Sequence, residues 1–198
     1  MRMLVIDPVG HDKWNRQDEE IYRSFASRDT EVRVISLPEG PPSVETPEDH
    51  ARVIPLVVDV TKKSHEGFDA VIVNCFLDPG VDLLKGMLGK PVVGPCEASL
   101  SLANIIGTRF TVITVGGAGG VWMVDDRVKQ TGLGSKVTSV REIPVRVLDI
   151  DKDRPRVVKY LVEEVEKAKR EEKIDVVVLG CTGLAGLARE VQELSLIH

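Results

Sequence analysis

Short apolar runs bounded by turn residues recur along the 198-residue chain and predict strands at 3–6, 32–35, 70–73, 91–93, 110–115, roughly 140–147 and 176–179. The runs are rich in Val and Ile and mostly do not alternate with polar residues. Strands of this kind are buried on both faces, as in a parallel sheet covered by helices. Helical spacing fills the intervals between them. Val157, Val158, Leu161, Val162, Val165 and Ala168 form one apolar stripe, and Val53, Ile54, Val57 and Val58 form its counterpart in the first half. Further helices are expected at 81–88 and 184–194. Alternating strands and helices predict an α/β fold.

The pattern repeats. Ala70-Val-Ile-Val-Asn-Cys75-Phe-Leu-Asp-Pro-Gly80 matches Val176-Val-Val-Leu-Gly-Cys181-Thr-Gly-Leu-Ala-Gly186, 106 residues further on. Met3-Leu-Val-Ile-Asp7 matches Phe110-Thr-Val-Ile-Thr114, 107 residues further on. Two offsets agreeing to within one residue, with a special residue at each strand end, predict two pseudo-symmetric lobes. Each would be a mostly parallel sheet flanked by helices, with a cleft between the lobes. The first lobe is expected at 1–95 and the second at 96–190. Residues 191–198 read as a truncated-looking tail, because the second half holds at most the start of a strand matching 91–94.

Composition narrows the function. A net charge of −5 and the lack of a basic stripe argue against nucleic acid as a partner. No apolar run reaches the length needed to cross a bilayer, and no secretory leader is visible, so no membrane partner and a cytoplasmic location are expected. Three widely spaced cysteines do not make a disulfide framework, and the thiols are expected to be reduced. His11, His50, His65 and His198 show no metal-ligand spacing, so no metal is expected.

The cysteines carry the candidate chemistry. Cys75 follows a strand and precedes Asp78-Pro79, which reads as a helix cap and first helical residue. Cys181 precedes Thr182, a cap for the helix expected there. Each sulfur is thus expected near a helix N-terminus, where exposed amides favour a thiolate or a substrate oxygen gaining charge. One thiol from each half suits removal of a proton from one face of a carbon and its return on the other. Cys96 has no counterpart and precedes an apolar helix, so it reads as structural. Asp7 ends its strand where ligands bind in wound sheets; it could hold a substrate amine, orient a thiol or cap a turn before Pro8. Asn74 could donate to a substrate oxygen or satisfy buried backbone. The glycine run 116–120 fits no phosphate-binding motif and reads as a loop over the cleft.

At these residues the chain resembles the Asp/Glu racemase superfamily, most closely its hydantoin racemase branch. The carrying motifs are Val73-Asn-Cys75-Phe-Leu-Asp78-Pro-Gly80, Pro91-Val-Val-Gly94-Pro-Cys-Glu97-Ala98, Arg109-Phe-Thr-Val-Ile-Thr114 and Leu179-Gly-Cys181-Thr-Gly183-Leu. The resemblance implies a racemase or epimerase without cofactor, with Cys75 and Cys181 as the two acid/bases exchanging roles with substrate handedness. It further implies that Asn74, Phe76, Thr114, Thr182 and Gly183 line the substrate cleft, where the strand-end position of Asp7 adds a sixth candidate substrate-binding residue. The implied partner is a small molecule, an amino acid or hydantoin, with a carboxylate or imide beside an acidic C–H. A homo-oligomer is also compatible. Two loops differ from the branch. Ile6-Asp7-Pro8-Val9-Gly10 stands in place of the usual Asn-Pro-Asn-Ser/Thr, and a glycine run follows Thr114 where a second Thr is common. Alternatives are a decarboxylase or cis–trans isomerase of the same fold using one cysteine, and a non-catalytic small-molecule binder.

Overall fold

The computed structural model describes residues 1–117, 119–195 and 197. The chain divides into two compact units, Met1–Pro95 and Cys96–His198. In the first, β1 (Arg2–Asp7), α1 (Asn15–Phe25), β2 (Glu31–Ser36), α2 (Pro47–Ser64), β3 (Ala70–Val73), α3 (Val81–Met87) and β4 (Val92–Val93) follow in order. The sheet order is β2-β1-β3-β4, and every pairing is parallel. In the second, α4 (Pro95–Ile106), whose Pro95 still belongs to the first unit, leads into β5 (Phe110–Val115), α5 (Gly120–Gln130) and β6 (Val137–Ile143). Then come α6 (Arg154–Glu172), β7 (Val176–Leu179) and α7 (Ala188–Ser195), with sheet order β6-β5-β7, again parallel.

Burial explains the strand pattern. All six residues of β5 are buried, as are the last four of β1, so both central strands are covered on both faces. The edge strand β2 alternates exposed Glu31 and Arg33 with buried Val32 and Val34, as a strand with one wet face must. The long helices bury the stripes expected of them. α2 opens with a reciprocal cap between Thr46 and Asp49 and turns Val53 and Val57 into the core beside Leu4, Ile6, Val71 and Val73. α6 opens at Asp153, which accepts the Arg156 N–H at 3.2 Å, and buries Val157, Leu161 and Val165 against Ile113 and Ile143. Ridge-like apolar stripes of this size anchor each crossover helix to its sheet.

The internal repeat extends to hydrogen-bond register. Met3 pairs with Ala70 and Ile6 with Val73; Phe110 pairs with Val176 and Ile113 with Leu179. The Asp69 N–H donates to the Arg2 carbonyl at 2.8 Å, and the Asp175 N–H donates to the Arg109 carbonyl at 3.0 Å. Each Asp side chain takes the facing N–H in return, Arg2 at 2.6 Å and Arg109 at 2.9 Å.

Several local expectations are corrected. β6 begins and ends earlier than 140–147, and residues from Val147 form a 3-10 segment instead. α3 is capped by Gly80 at φ 77°, not by Asp78. Asp78 itself has φ 48°, and the chain makes two tight turns before α3 starts, Asp78 N–H to the Cys75 carbonyl and Val81 N–H to the Asp78 carbonyl. After Cys181 comes a single 3-10 turn, Thr182–Leu184, and then Gly186 at φ 82° before α7, so the 184–194 helix is split. α7 crosses residue 190, and Val191 and Ile197 are buried in the second unit's core. Ala118 of the glycine run, and Leu196 and His198 of the final segment, lie outside the described residues. Among the described residues no helix is long and apolar enough to cross a membrane.

Candidate active site

The carboxyl end of β3 delivers Asn74 and Cys75. The Asn74 N–H donates to the Ile6 carbonyl at 2.8 Å, which extends the β1–β3 ladder by one bond, and there the strand ends. The Cys75 N–H turns back to the Val73 carbonyl at 2.9 Å, and the Cys75 carbonyl accepts the Asp78 N–H at 2.9 Å. Cys75 therefore sits at the start of a closed four-residue turn and is half-buried. Asp78, at the far side of the turn, is buried. Its carboxyl lies against Gly94 after β4, where a Cβ on that glycine would come within 2.2 Å of it. Only glycine leaves room for this turn. Phe76 is buried, 3% exposed.

The side chain of Asn74 is held from three directions. Its Nδ2 donates to Asp7 Oδ1 at 2.6 Å and to Asp18 Oδ2 at 3.1 Å, and its Oδ1 accepts the Tyr22 hydroxyl at 2.9 Å. Asp18 and Tyr22 are one turn apart on α1, so one helix face supplies both. Asp7 is 2% exposed, and its Oδ2 receives no donor from the described residues while both carboxyls are ionised. Burial and the neighbouring Asp18 carboxyl push Asp7 up to about 8, against the opposing pull of the Asn74 hydrogen bond. Burial, with Asp7 and Asp18 close by, also pushes the Tyr22 hydroxyl up, so it stays a donor. Asp7 thus faces a buried polar network, and does not cap the turn before Pro8.

In the second unit β5 and β7 deliver the corresponding residues. The Gly180 N–H donates to the Ile113 carbonyl at 2.8 Å, and Thr114 Oγ1 donates to the Gly180 carbonyl at 2.9 Å. Thr114 is buried, at the place Asp7 holds in the first unit. Cys181 follows with extended backbone, is half-buried, and stands at the head of the 3-10 turn, where its carbonyl accepts the Leu184 N–H at 3.0 Å. Gly183 lies beside the sulfur: a Cβ there would be 3.6 Å from Cys181 Sγ and 2.8 Å from Ile150 Cδ1. Thr182 is half-buried between them.

The predicted residues therefore gather in two sets, Asp7, Asn74, Cys75 and Phe76 in one unit, Thr114, Cys181, Thr182 and Gly183 in the other. Neither thiol heads a long helix. Cys75 is separated from the seven-residue α3 by two turns, and Cys181 heads only a three-residue 3-10 turn, so neither sulfur stands at the long-helix N-terminus expected for it. Cys96 is 0% exposed near the start of α4. Sequence patterns missed Asp18 and Tyr22. The available signal was the i, i+4 spacing of polar residues just after β1.

Sequence and structure comparisons agree with this architecture. The Asp/Glu/hydantoin racemase family profile matches residues 5–197. A hydantoin racemase of Pseudomonas sp. (strain NS671) is 32% identical over 194 residues, which cover 98% of this chain and 78% of that protein. A hydantoin racemase of Rhizobium meliloti is 32% identical over the same share of this chain and 80% of its own. The crystal structure of an allantoin racemase from Pseudomonas fluorescens superposes with a TM-score of 0.94 and 30% identity, covering 100% of this chain and 83% of that one. With a family profile spanning nearly its whole length and relatives of this similarity, the chain belongs to the Asp/Glu/hydantoin racemase family and is an isomerase of the racemase type.

Proposed function

We propose that the chain racemises a hydantoin-type ring, a five-membered cyclic ureide with a hydrogen on the carbon next to a ring carbonyl, using Cys75 and Cys181 and no cofactor. The observation that carries this reading is that each cysteine directly follows the residue whose N–H closes the ladder on the central strand, Asn74 onto Ile6 and Gly180 onto Ile113. One thiolate removes the ring proton, the electron pair moves onto the adjacent carbonyl oxygen, and the other thiol protonates the planar carbon from the opposite face. The C–H is acidic enough for a thiolate only if charge on that oxygen is stabilised. The turn after Cys75 is suited to this, because its internal backbone bonds run from the Cys75 and Asp78 N–H groups and leave those of Phe76 and Leu77 outside them. The hydantoin and allantoin racemases among the relatives support a ureide ring over an open-chain amino acid.

The test is incubation with single enantiomers of 5-substituted hydantoins and allantoin in heavy water, following optical rotation and deuterium uptake. Cys75→Ser and Cys181→Ser are each expected to lower racemisation at least a thousandfold. Full racemase activity in either variant refutes the two-thiol mechanism; no racemisation of these rings, with CO2 release from an arylmalonate that survives loss of one thiol, points to a decarboxylase.

A further inference from the structure

The two half-sites differ in what lies behind the cysteine. Behind Cys181 there is a glycine, Gly180, and any side chain at that position would put a Cβ 2.7 Å from Val112 Cγ1. Behind Cys75 there is Asn74, with both amide hydrogens and its oxygen engaged by Asp7, Asp18 and Tyr22. This arrangement joins three elements: β1 through Asp7, α1 through Asp18 and Tyr22, and the end of β3 through Asn74. The next residue along the backbone is the thiol.

Two carboxyls accept from one amide nitrogen, and one of them, Asp7, is almost completely buried. Two adjacent carboxylates in such a place repel, and a single proton held between them removes the repulsion and gives the otherwise undonated Asp7 Oδ2 a partner. The charged groups that bear on Asp7 and Tyr22 belong to the cluster itself, Asp18 on Asp7, and both on Tyr22. Glu19, next on α1, is directed elsewhere: it pairs with Arg23 at 2.7 Å and faces the Val34 N–H of β2. Ser36 of β2 donates to Asn15 of α1, a neutral pair, and β3 contributes no ionisable side chain before Cys75.

We infer that Asp18 and Tyr22 are positioning residues for Cys75, acting through Asn74, and that the proton shared by Asp7 and Asp18 keeps this half-site set while the Cys181 half-site has no such control. The inference rests on the two-thiol reading for its kinetic consequence but not for its structural one. When the shared proton is lost, repulsion loosens the grip on Asn74 and the Cys75 turn shifts, while the Thr114–Gly180 contact is unaffected. Activity then falls on the alkaline side earlier than thiol ionisation alone dictates.

The experiment compares wild type, Asp18→Asn and Tyr22→Phe in two ways. In the first, iodoacetamide labelling rates of Cys75 and Cys181 are measured by peptide mass spectrometry from pH 6 to 9. In wild type the ratio of the two rates is expected to change at least threefold between pH 7 and 9. Asp18→Asn, which keeps an acceptor for Asn74 but needs no shared proton, is expected to flatten that change. Tyr22→Phe is expected to shift the ratio at every pH. In the second, the alkaline limb of kcat is expected to move upward by a pH unit or more in Asp18→Asn. Tyr22→Phe is expected to lower kcat about tenfold with little change in KM. Superimposed labelling-ratio profiles for wild type and both variants overturn the inference. Separated profiles with no racemisation by wild type would leave the positioning role standing and reject the proposed reaction instead.

Discussion

Asn74 and Gly180 occupy the same place in the two units, and each donates its backbone N–H at 2.8 Å to the carbonyl of the equivalent residue of the central strand, Ile6 or Ile113. The backbones are alike and the side chains are opposite in kind. One carries an amide held by two carboxyls and a phenol; the other has no side chain at all. A duplicated framework thus presents one thiol on a support of carboxyl, amide and phenol side chains and the other on a close-packed backbone.

Asp7→Asn is expected to change how stability depends on pH. Asp7 is raised to about 8 in the folded protein, from an ordinary value near 4 in the unfolded chain. Between those values the folded state holds a proton that the unfolded chain releases. Stability from this group is therefore complete below about 4, declines as pH rises, and is lost once pH passes 8. The slope approaches 1.4 kcal/mol per pH unit for one full proton. Denaturant titrations at pH 5, 6, 7 and 8 should show the variant gaining on wild type at each step. Parallel curves would mean that Asp7 is ionised in the fold.

Labelling should separate the three thiols. Cys75 and Cys181 are half-buried and Cys96 is 0% exposed. Iodoacetamide at near-neutral pH is expected to modify Cys75 and Cys181 in the native protein, and Cys96 only after denaturation. Substrate should protect the first two. Native labelling of Cys96 ahead of both would contradict its packing.

Giving the second unit the residue of the first should fail. In Gly180→Asn the new Cβ falls 2.7 Å from Val112 Cγ1 and 3.3 Å from Thr114 Cβ. Overpacking of this kind costs about 1–3 kcal/mol. Thermal melts should show the loss, and adding Val112→Ala should recover part of it. Full stability in the single variant would show that the β5–β7 end relaxes freely.

Arg141 of β6 joins Glu164 at 2.8 Å and also reaches Glu171 and Glu172, all on α6. Thr138 and Ser139 donate to Glu172 as well. Burial works to raise Glu172, and the hydrogen bonds from Thr138, Ser139 and Arg141 outweigh it, leaving it below the usual carboxylate range. Arg141→Met removes the cation and its charge-assisted hydrogen bonds from this partly buried cluster and is expected to destabilise the protein by roughly 1.5–3 kcal/mol at neutral pH. A depressed carboxylate stabilises above its unfolded value and loses that contribution as pH falls through the folded one. The gap between wild type and variant should therefore narrow below about pH 4. An equal gap at pH 7 and pH 3 would assign the loss to packing alone.

Helices with an apolar stripe were legible in the sequence, as α2 and α6 demonstrate, whereas α1 was not. The face of α1 that meets the sheet includes Asn15, bonded to Ser36, together with Asp18 and Tyr22, so the helix lacks the apolar period that marks its neighbours. Asp78 misled for a related reason. Asp-Pro is a common way to open a helix. Here the packing of the Asp78 carboxyl on Gly94 accompanies a left-handed backbone at Asp78, and the start of α3 moves on to Gly80.

By itself the sequence determined the α/β class, the duplication and the two thiols at matching strand ends. Those features depend on local periodicity and on residue identity at a fixed offset, both of which survive in one dimension. Only the tertiary structure decided what each thiol rests on. The contacts of Asn74 with Asp7, 67 residues away, and with Asp18, 56 residues away, depend on which strands lie side by side and which helix crosses them. Burial, which turns Asp7 from an ordinary carboxylate into one that keeps its proton near neutrality, exists only once those elements have closed over it.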